Sequence, residues 1–288
     1  MKQSALLTIE QNAHEMDQLC LDEVVLGLEL GAIIYFPNLT FVLEPQEQGV
    51  FSEGILHGKS KNISYDHIKK QVSGANTRDE RDILMIMMRR FAIHAHDLVC
   101  TTVPSYQNHL KWGRTSYRPA EIKGRKTSKR KDDTRLHVDA FTATPVQGLR
   151  ILRVFCNINP HGVPRSWHVG EDFATVLARF KPQLPRYRPW QARMLHWANI
   201  TKSLRSEYDH YMLHLHDGMK LDDGYQASVD KQHIDFPAQS TWMVFTDHVS
   251  HAALSGQYLL EQTFYLPVSA MHDPTQSPLE QLIGVTAI

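Results

Sequence analysis

The chain has 288 residues, and its 31 Lys and Arg balance 31 Asp and Glu, so the formal net charge is zero. With 42% hydrophobic and 22% charged residues it has the make-up of a globular protein, which excludes extensive disorder, and the charge balance excludes a chain built as a whole to wrap nucleic acid. The 17 histidines put metal chemistry in play, whereas Cys20, Cys100 and Cys156 form no CxxC and no disulfide framework.

Near the N-terminus no apolar run reaches signal-peptide length, and Glu10, Glu15 and Asp17 intervene. No 18-residue apolar run follows, so the expectation is a cytoplasmic chain without a membrane-spanning helix and with peripheral membrane contact still open. Over residues 14–30, Met16, Leu19, Cys20, Val24, Leu26 and Leu30 predict an amphipathic helix, with Gly31 as its C-cap. Residues 32–36 read as a buried strand ended by Pro37, and residues 78–99 as a longer helix with an Ile/Leu/Met face. Residues 1–110 thus read as mainly helical support. The segments LRILRVFCNI (149–158), STWMVFTD (240–247) and YLLEQTFYLP (258–267) read as strands. A helical insert near 170–222 separates them, in which Leu204, Tyr208, Tyr211, Met212 and Leu215 fall at helical spacing. With no repeat and no linker, the economical reading is one α+β domain over 1–288, its core at 111–270. Long connections between the strands suit an antiparallel barrel or sandwich.

A basic run, Lys123 to Lys131, reads either as a solvated loop or as a contact for an anionic partner such as phosphorylated glycolipid headgroups. It lacks interleaved aromatics, which disfavours nucleic acid. Just after it comes Arg135-Leu136-His137-Val138-Asp139-Ala140. On an extended backbone the H-x-D pair His137 and Asp139 points to one face, where an imidazole and a carboxylate can take adjacent corners of one divalent metal. A distant third ligand would complete a facial triad of two histidines and a carboxylate, which leaves open positions on Fe(II). The candidates are His248 and His251, which face opposite sides of a strand; His251 is favoured because it begins the short segment leading to the Gly256 turn, while His248 follows Thr-Asp at a bend.

The H-x-D followed about a hundred residues later by His on a penultimate strand resembles the Fe(II)- and 2-oxoglutarate-dependent oxygenases. Their fold, a double-stranded β-helix of jelly-roll or cupin-like form, suits the strand pattern. Within them, LELGAIIYFP, SYRPAE, RLHVDAF, RILRVFCNINP, VPRSWHVGEDF and VSHAALSGQYLLEQTFYLP resemble the 3-deoxy-D-manno-octulosonic acid (Kdo) hydroxylases of Gram-negative bacteria. The resemblance implies C3 hydroxylation of the Kdo sugar of Kdo-lipid A, at the cytoplasmic face of the inner membrane. It also implies O2 and 2-oxoglutarate as co-substrates, succinate and CO2 as co-products, and His137, Asp139 and His251 at the catalytic metal positions.

Many such oxygenases hold the far carboxylate of 2-oxoglutarate with an Arg or Lys on the final strand, but here nothing after His251 is Arg or Lys. The counter-charge must come from elsewhere, because a buried dicarboxylate without a cation is strongly disfavoured. The order of candidates is Arg153, Arg165, Arg118, then Arg150; Arg150 and Arg153 face opposite ways on one strand, and Arg165 reads as part of a loop over the cavity mouth. Trp167, Asn157 and Gln262 could line the pocket, whereas His210 and His214, four apart on a helix, have no third ligand beside them. The competing readings are an oxygenase of this fold with another substrate, a carbohydrate-binding β-barrel with structural histidines, and a zinc hydrolase, the last disfavoured for want of a general-base carboxylate.

Overall fold

The apolar runs become strands buried on both faces, because helices cover one side of the sheet they form and a second sheet covers the other. The computed structural model describes residues 5–58 and 60–286; residues 1–4, part of the N-terminal reading, lie outside the described residues. The first half contributes β1 (Leu6–Thr8), α1 (Gln18–Glu29), β2 (Ile33–Phe36), β3 (Ile63–Asp66), β4 (Gln71–Ser73), α2 (Arg78–Thr102) and β5 (Lys111–Arg118). Next come β6 (Arg150–Asn157), β7 (Arg165–Val169), α3 (Phe173–Phe180), α4 (Pro189–Trp197), α5 (Glu207–Leu221) and α6 (Asp223–Ser228). The chain closes with β8 (Gln232–Phe236), β9 (Thr241–Phe245), β10 (His251–Ser255), β11 (Leu259–Leu266) and α7 (Pro278–Thr286). Side-chain caps start the two longest helices: Thr77 and Glu80 form a capping box at α2, and Ser206 and Asp209 form one at α5.

The strands form an eight-stranded sheet in the order β1-β2-β9-β6-β11-β5-β3-β4 and a three-stranded sheet in the order β10-β7-β8. Strand alternation sorts their side chains into two cores. Leu152, Val154 and Cys156 of β6 face outward with Met243 and Phe245, packing against Leu84, Met88 and Phe91 of α2 and Leu28 of α1. Phe155, Trp242, Val244 and Leu259 face inward and meet Trp167, Val169, Ile234 and Phe236 from the smaller sheet. Within this inner layer Trp242 stacks on Phe236 at 4.0 Å between ring centroids. A third core packs α3 and α5 against Leu136, Val138 and Ala252.

One expectation changes and two gain detail. Residues 1–110 are mainly helical support, and they also supply β1 to β4 to the larger sheet; β2 matches the strand read at 32–36, whereas β1, β3 and β4, of three or four residues, carry too little period to read. The segment after Pro164 is not a loop over a cavity mouth but β7, with Arg165, Trp167 and Val169 buried and alternating with partly exposed Ser166 and His168. The basic run is largely exposed, but Lys129 pairs with Asp223 and Arg130 with Asp217, so α5 and α6 already balance part of its charge.

Candidate metal centre

Pairing between remote segments brings the chemistry-bearing residues together. His137 and His251 form an isolated antiparallel bridge, each amide donating to the other's carbonyl at 3.0 and 2.9 Å. The amide of Asp139 donates to the Thr246 carbonyl at 2.7 Å, which holds the H-x-D backbone extended against the loop before β10. As a result one ligand atom from each of His137, Asp139 and His251 lies within 4.8 Å of the other two. Among the described residues this is the one group of three or more such side chains placed to share an ion.

The donor chemistry fits a metal. The Nδ1 of His137 bonds the Arg135 carbonyl and that of His251 the Val249 carbonyl, each at 2.8 Å. A carbonyl only accepts, so each Nδ1 carries the proton and each Nε2 presents its lone pair, the arrangement metal-binding imidazoles use. Burial, helped by the neighbouring His251 and Lys220, holds His137 well below the usual imidazole range, and burial also lowers His251 from its ordinary value, which favours neutral rings as donors. Burial disfavours the charged form of Asp139, but the Arg153 guanidinium at 3.0 Å, together with His251, His137 and the Thr246 hydroxyl, outweighs it and keeps the carboxyl below its ordinary range. The Trp167 ring stacks on His251 at 5.1 Å between centroids, sealing one side of the cluster.

His248 is not part of this group. It sits in the turn before β10, facing the Phe173 ring and approached by Gly31, and burial lowers its pKa to about 3.

The inner face also carries the arginines. Arg153 bridges Asp139 and Glu261, at 3.0 and 2.8 Å, while Arg118 makes two hydrogen bonds to Glu261. Burial opposes the charge on Glu261, but Arg118 and Arg153 overcome it and lower its pKa. Arg165, on the same face as Trp167, donates to the Gly256 carbonyl at 2.7 Å and has no ion pair among the described residues. Burial, with Arg118 nearby, lowers its pKa to about 9. Arg153 Nε, Arg165 Nε and Trp167 Nε1 are buried donors without a hydrogen-bond partner. Such donors suit an anionic ligand with several oxygens. Arg150 points into the outer core, paired with Asp247 at 2.8 Å and lying over the Phe245 ring, so it is a structural ion pair.

Two of the suggested pocket-lining amides act elsewhere. Gln262 faces the outer side and bonds Thr115, and the Asn157 amide ties the carbonyls of Val163 and Phe236. His210 bonds the Pro185 carbonyl, and its ring lies 4.5 Å from that of His214, with no third ligand among the described residues. Sequence reasoning missed Glu261, the acid that orients two arginines. It also missed His216 and Lys220, one helical turn apart on α5; the His216 ring lies 5.3 Å from that of His137. The i, i+4 spacing of these two residues was the available signal.

Two imidazoles and one carboxylate with further positions open have the donor composition of the facial triad found in non-haem Fe(II) oxygenases. Comparison with solved structures points to the same class. The chain is 45% identical to a Kdo hydroxylase, KdoO, described as an apo non-haem Fe(II), α-ketoglutarate-dependent dioxygenase, with a TM-score of 0.93 over 97% of this chain and 95% of that one. A structure of KdoO with α-ketoglutarate and Fe(III) is 44% identical over the same shares, also at a TM-score of 0.93. One with succinate and Fe(III) is 42% identical over 99% of both chains, at a TM-score of 0.93. A search of curated proteins gave no match. The model of the 3-deoxy-D-manno-oct-2-ulosonic acid (Kdo) hydroxylase family matches residues 11–287, and the chain belongs to that family.

Proposed function

We propose that this chain is an Fe(II)- and 2-oxoglutarate-dependent hydroxylase of the Kdo sugar, acting at C3 of Kdo carried on lipid A. The observation that carries the reading is the convergence of His137, Asp139 and His251 in a member of this family. The two facing sheets are read as a double-stranded β-helix, with the metal centre held between the smaller sheet and the H-x-D segment.

In this reading His137 Nε2, Asp139 and His251 Nε2 hold the iron. Iron and 2-oxoglutarate, when bound, supply the oxidative chemistry that places one oxygen of O2 on carbon and releases succinate and CO2. The protein's part is binding, orientation and exclusion of water. The carbonyls of Arg135 and Val249 fix the tautomers, and Arg153 holds the Asp139 carboxylate ionised and oriented. Arg165 is the cation for the far carboxylate of 2-oxoglutarate, ahead of Arg153 and Arg118, because those two are committed to acids and Arg165 is not. An oxo-acid carboxylate there would satisfy a buried guanidinium that burial otherwise penalises. Trp167 walls the cluster and offers its unpartnered Nε1 to ligand oxygen.

Incubating the purified protein with Fe(II), 2-oxoglutarate, O2 and Kdo-lipid A, followed by mass spectrometry, should show one added oxygen on the Kdo unit. Consumption of 2-oxoglutarate with no oxygen gained by any Kdo substrate would overturn the substrate assignment.

A further inference from the structure

One stretch of surface is unlike the rest of the chain. Residues 173–206 contain no Asp or Glu, although the chain has 31 of them, and carry seven Lys or Arg. Within it, α4 turns its apolar side outward. Trp190, Met194 and Trp197, at positions i, i+4 and i+7, are 53%, 58% and 86% exposed, and Ile200 just beyond is 53% exposed. The one buried residue of α4 is Ala192, on the opposite face. A surface helix of a globular protein normally buries its large apolar residues and shows its polar ones, so this pattern is inverted. Around it Arg186, Arg188, Arg193 and Lys202 are exposed and make no ion pair among the described residues.

The patch is tied to the candidate metal centre. The Lys202 amide donates to the Ala143 carbonyl at 2.9 Å, and Arg205 Nη2 to the Thr142 carbonyl at 3.0 Å. Thr142 and Ala143 follow Asp139 by three and four residues, so the patch adjoins the segment leaving the site.

We infer that the outer face of α4, with the loop to Lys202, is the docking surface by which this protein lies on an anionic lipid bilayer. The inference rests on the reading above that the sugar is carried on lipid, and it names the surface that brings that lipid to the site. Tryptophan favours the boundary between headgroups and acyl chains, where its ring is buried and its N–H stays wet. Exposed Lys and Arg with no acid in the same stretch of chain draw such a face toward anionic headgroups, the combination interfacial helices use. A second copy of the chain fits poorly, because a two-fold contact through this patch would set four unpaired cations against four more. The loop at 123–131 is the weaker surface, since Lys129 and Arg130 are paired with Asp223 and Asp217.

The test is sedimentation of the full chain with vesicles of phosphatidylglycerol and phosphatidylethanolamine, against vesicles of phosphatidylcholine alone. Wild type should sediment with the anionic vesicles only. The double variant Trp190→Ser/Trp197→Ser should lose binding by at least about ten-fold, as expected for large apolar area withdrawn from the interface. Arg188→Ala/Arg193→Ala should lose about five-fold per cation at low salt, whereas Lys129→Ala/Arg130→Ala should bind nearly as wild type does. Both patch variants should hydroxylate a deacylated, water-soluble Kdo substrate at the wild-type rate and a vesicle-embedded one more slowly. Equal binding of the patch variants and wild type, or a wild type that ignores anionic vesicles, would overturn the inference, as would a Trp-dependent dimer or RNA complex in place of vesicle binding. If no Kdo substrate gains oxygen while the vesicle contrast holds, the functional reading fails and the docking surface stands.

Discussion

Two imidazoles become usable metal donors here because each ring commits its other nitrogen to a main-chain carbonyl, His137 to Arg135 and His251 to Val249. That commitment separates His251 from His248, whose Nδ1 has no partner and whose ring faces Phe173. His251→Ala should therefore abolish stoichiometric Fe(II) binding, measured after anaerobic reconstitution, while His248→Ala retains it; the reverse pattern would transfer the ligand role. The arginines divide in the same manner. Arg118 and Arg153 neutralise Glu261 and Asp139, which leaves Arg165, of these three, without an acid among the described residues. Charge-assisted hydrogen bonds are worth roughly 1.5–3 kcal/mol. Arg165→Met should accordingly raise the KM for 2-oxoglutarate by about ten- to one-hundred-fold with the fold retained, and Arg165→Lys should lie between. An unchanged KM would remove Arg165 from that role.

At the scale of elements, legibility followed the length and burial of each run. The strands now seen as β6, β9 and β11 could be read because nearly every residue in them is buried and most are apolar or β-branched. The H-x-D and the distal histidine were legible as spacing, since alternation alone puts His137 and Asp139 on one face. What escaped reading depends on pairing partners far away in the chain. β7 opens with Arg165 after Pro164, which disguises its alternation, and it becomes a strand because β8 and β10 flank it. Glu261 sits in an apolar run and gains its meaning only from Arg118 and Arg153 across the sheet. The β10–β11 turn is a further case. Gly256 has φ +105°, and an added Cβ would come within 2.9 Å of the Pro164 carbonyl oxygen and 3.1 Å of the Arg165 Cα. Gly256→Ala should destabilise the protein by about 1–3 kcal/mol through backbone strain and raise the KM for 2-oxoglutarate, because the Gly256 carbonyl positions Arg165. Denaturant midpoints and steady-state kinetics would check both effects, and a variant as stable as wild type would show that the turn relaxes freely.

At the scale of the whole molecule, protons and metal bear on the folded state in opposite directions. His248 is folded away neutral, with its pKa lowered from 6.5 to about 3. An unfolded histidine takes up a proton below about pH 6.5 that the folded one refuses, so the unfolded chain binds more protons between those values and stability falls as pH drops. Each pH unit through this window costs on the order of 1.4 kcal/mol for this one residue. His248→Gln should therefore flatten the acid limb of a plot of unfolding free energy against pH by about that slope, and an unchanged limb would place the acid sensitivity elsewhere. Metal acts the other way. An ion bound only by the folded chain at about one hundred times its Kd adds roughly 2.7 kcal/mol, worth several degrees in Tm. That increment depends on neutral His137 and His251 and an ionised Asp139, so acid should erode it as protons compete for the same donors. Thermal unfolding with Fe(II) or Co(II), set against the chelated protein, should show a Tm gap near pH 7.5 that narrows toward pH 5. A gap of equal size in His137→Ala would mean that the stabilising ion binds somewhere other than this centre.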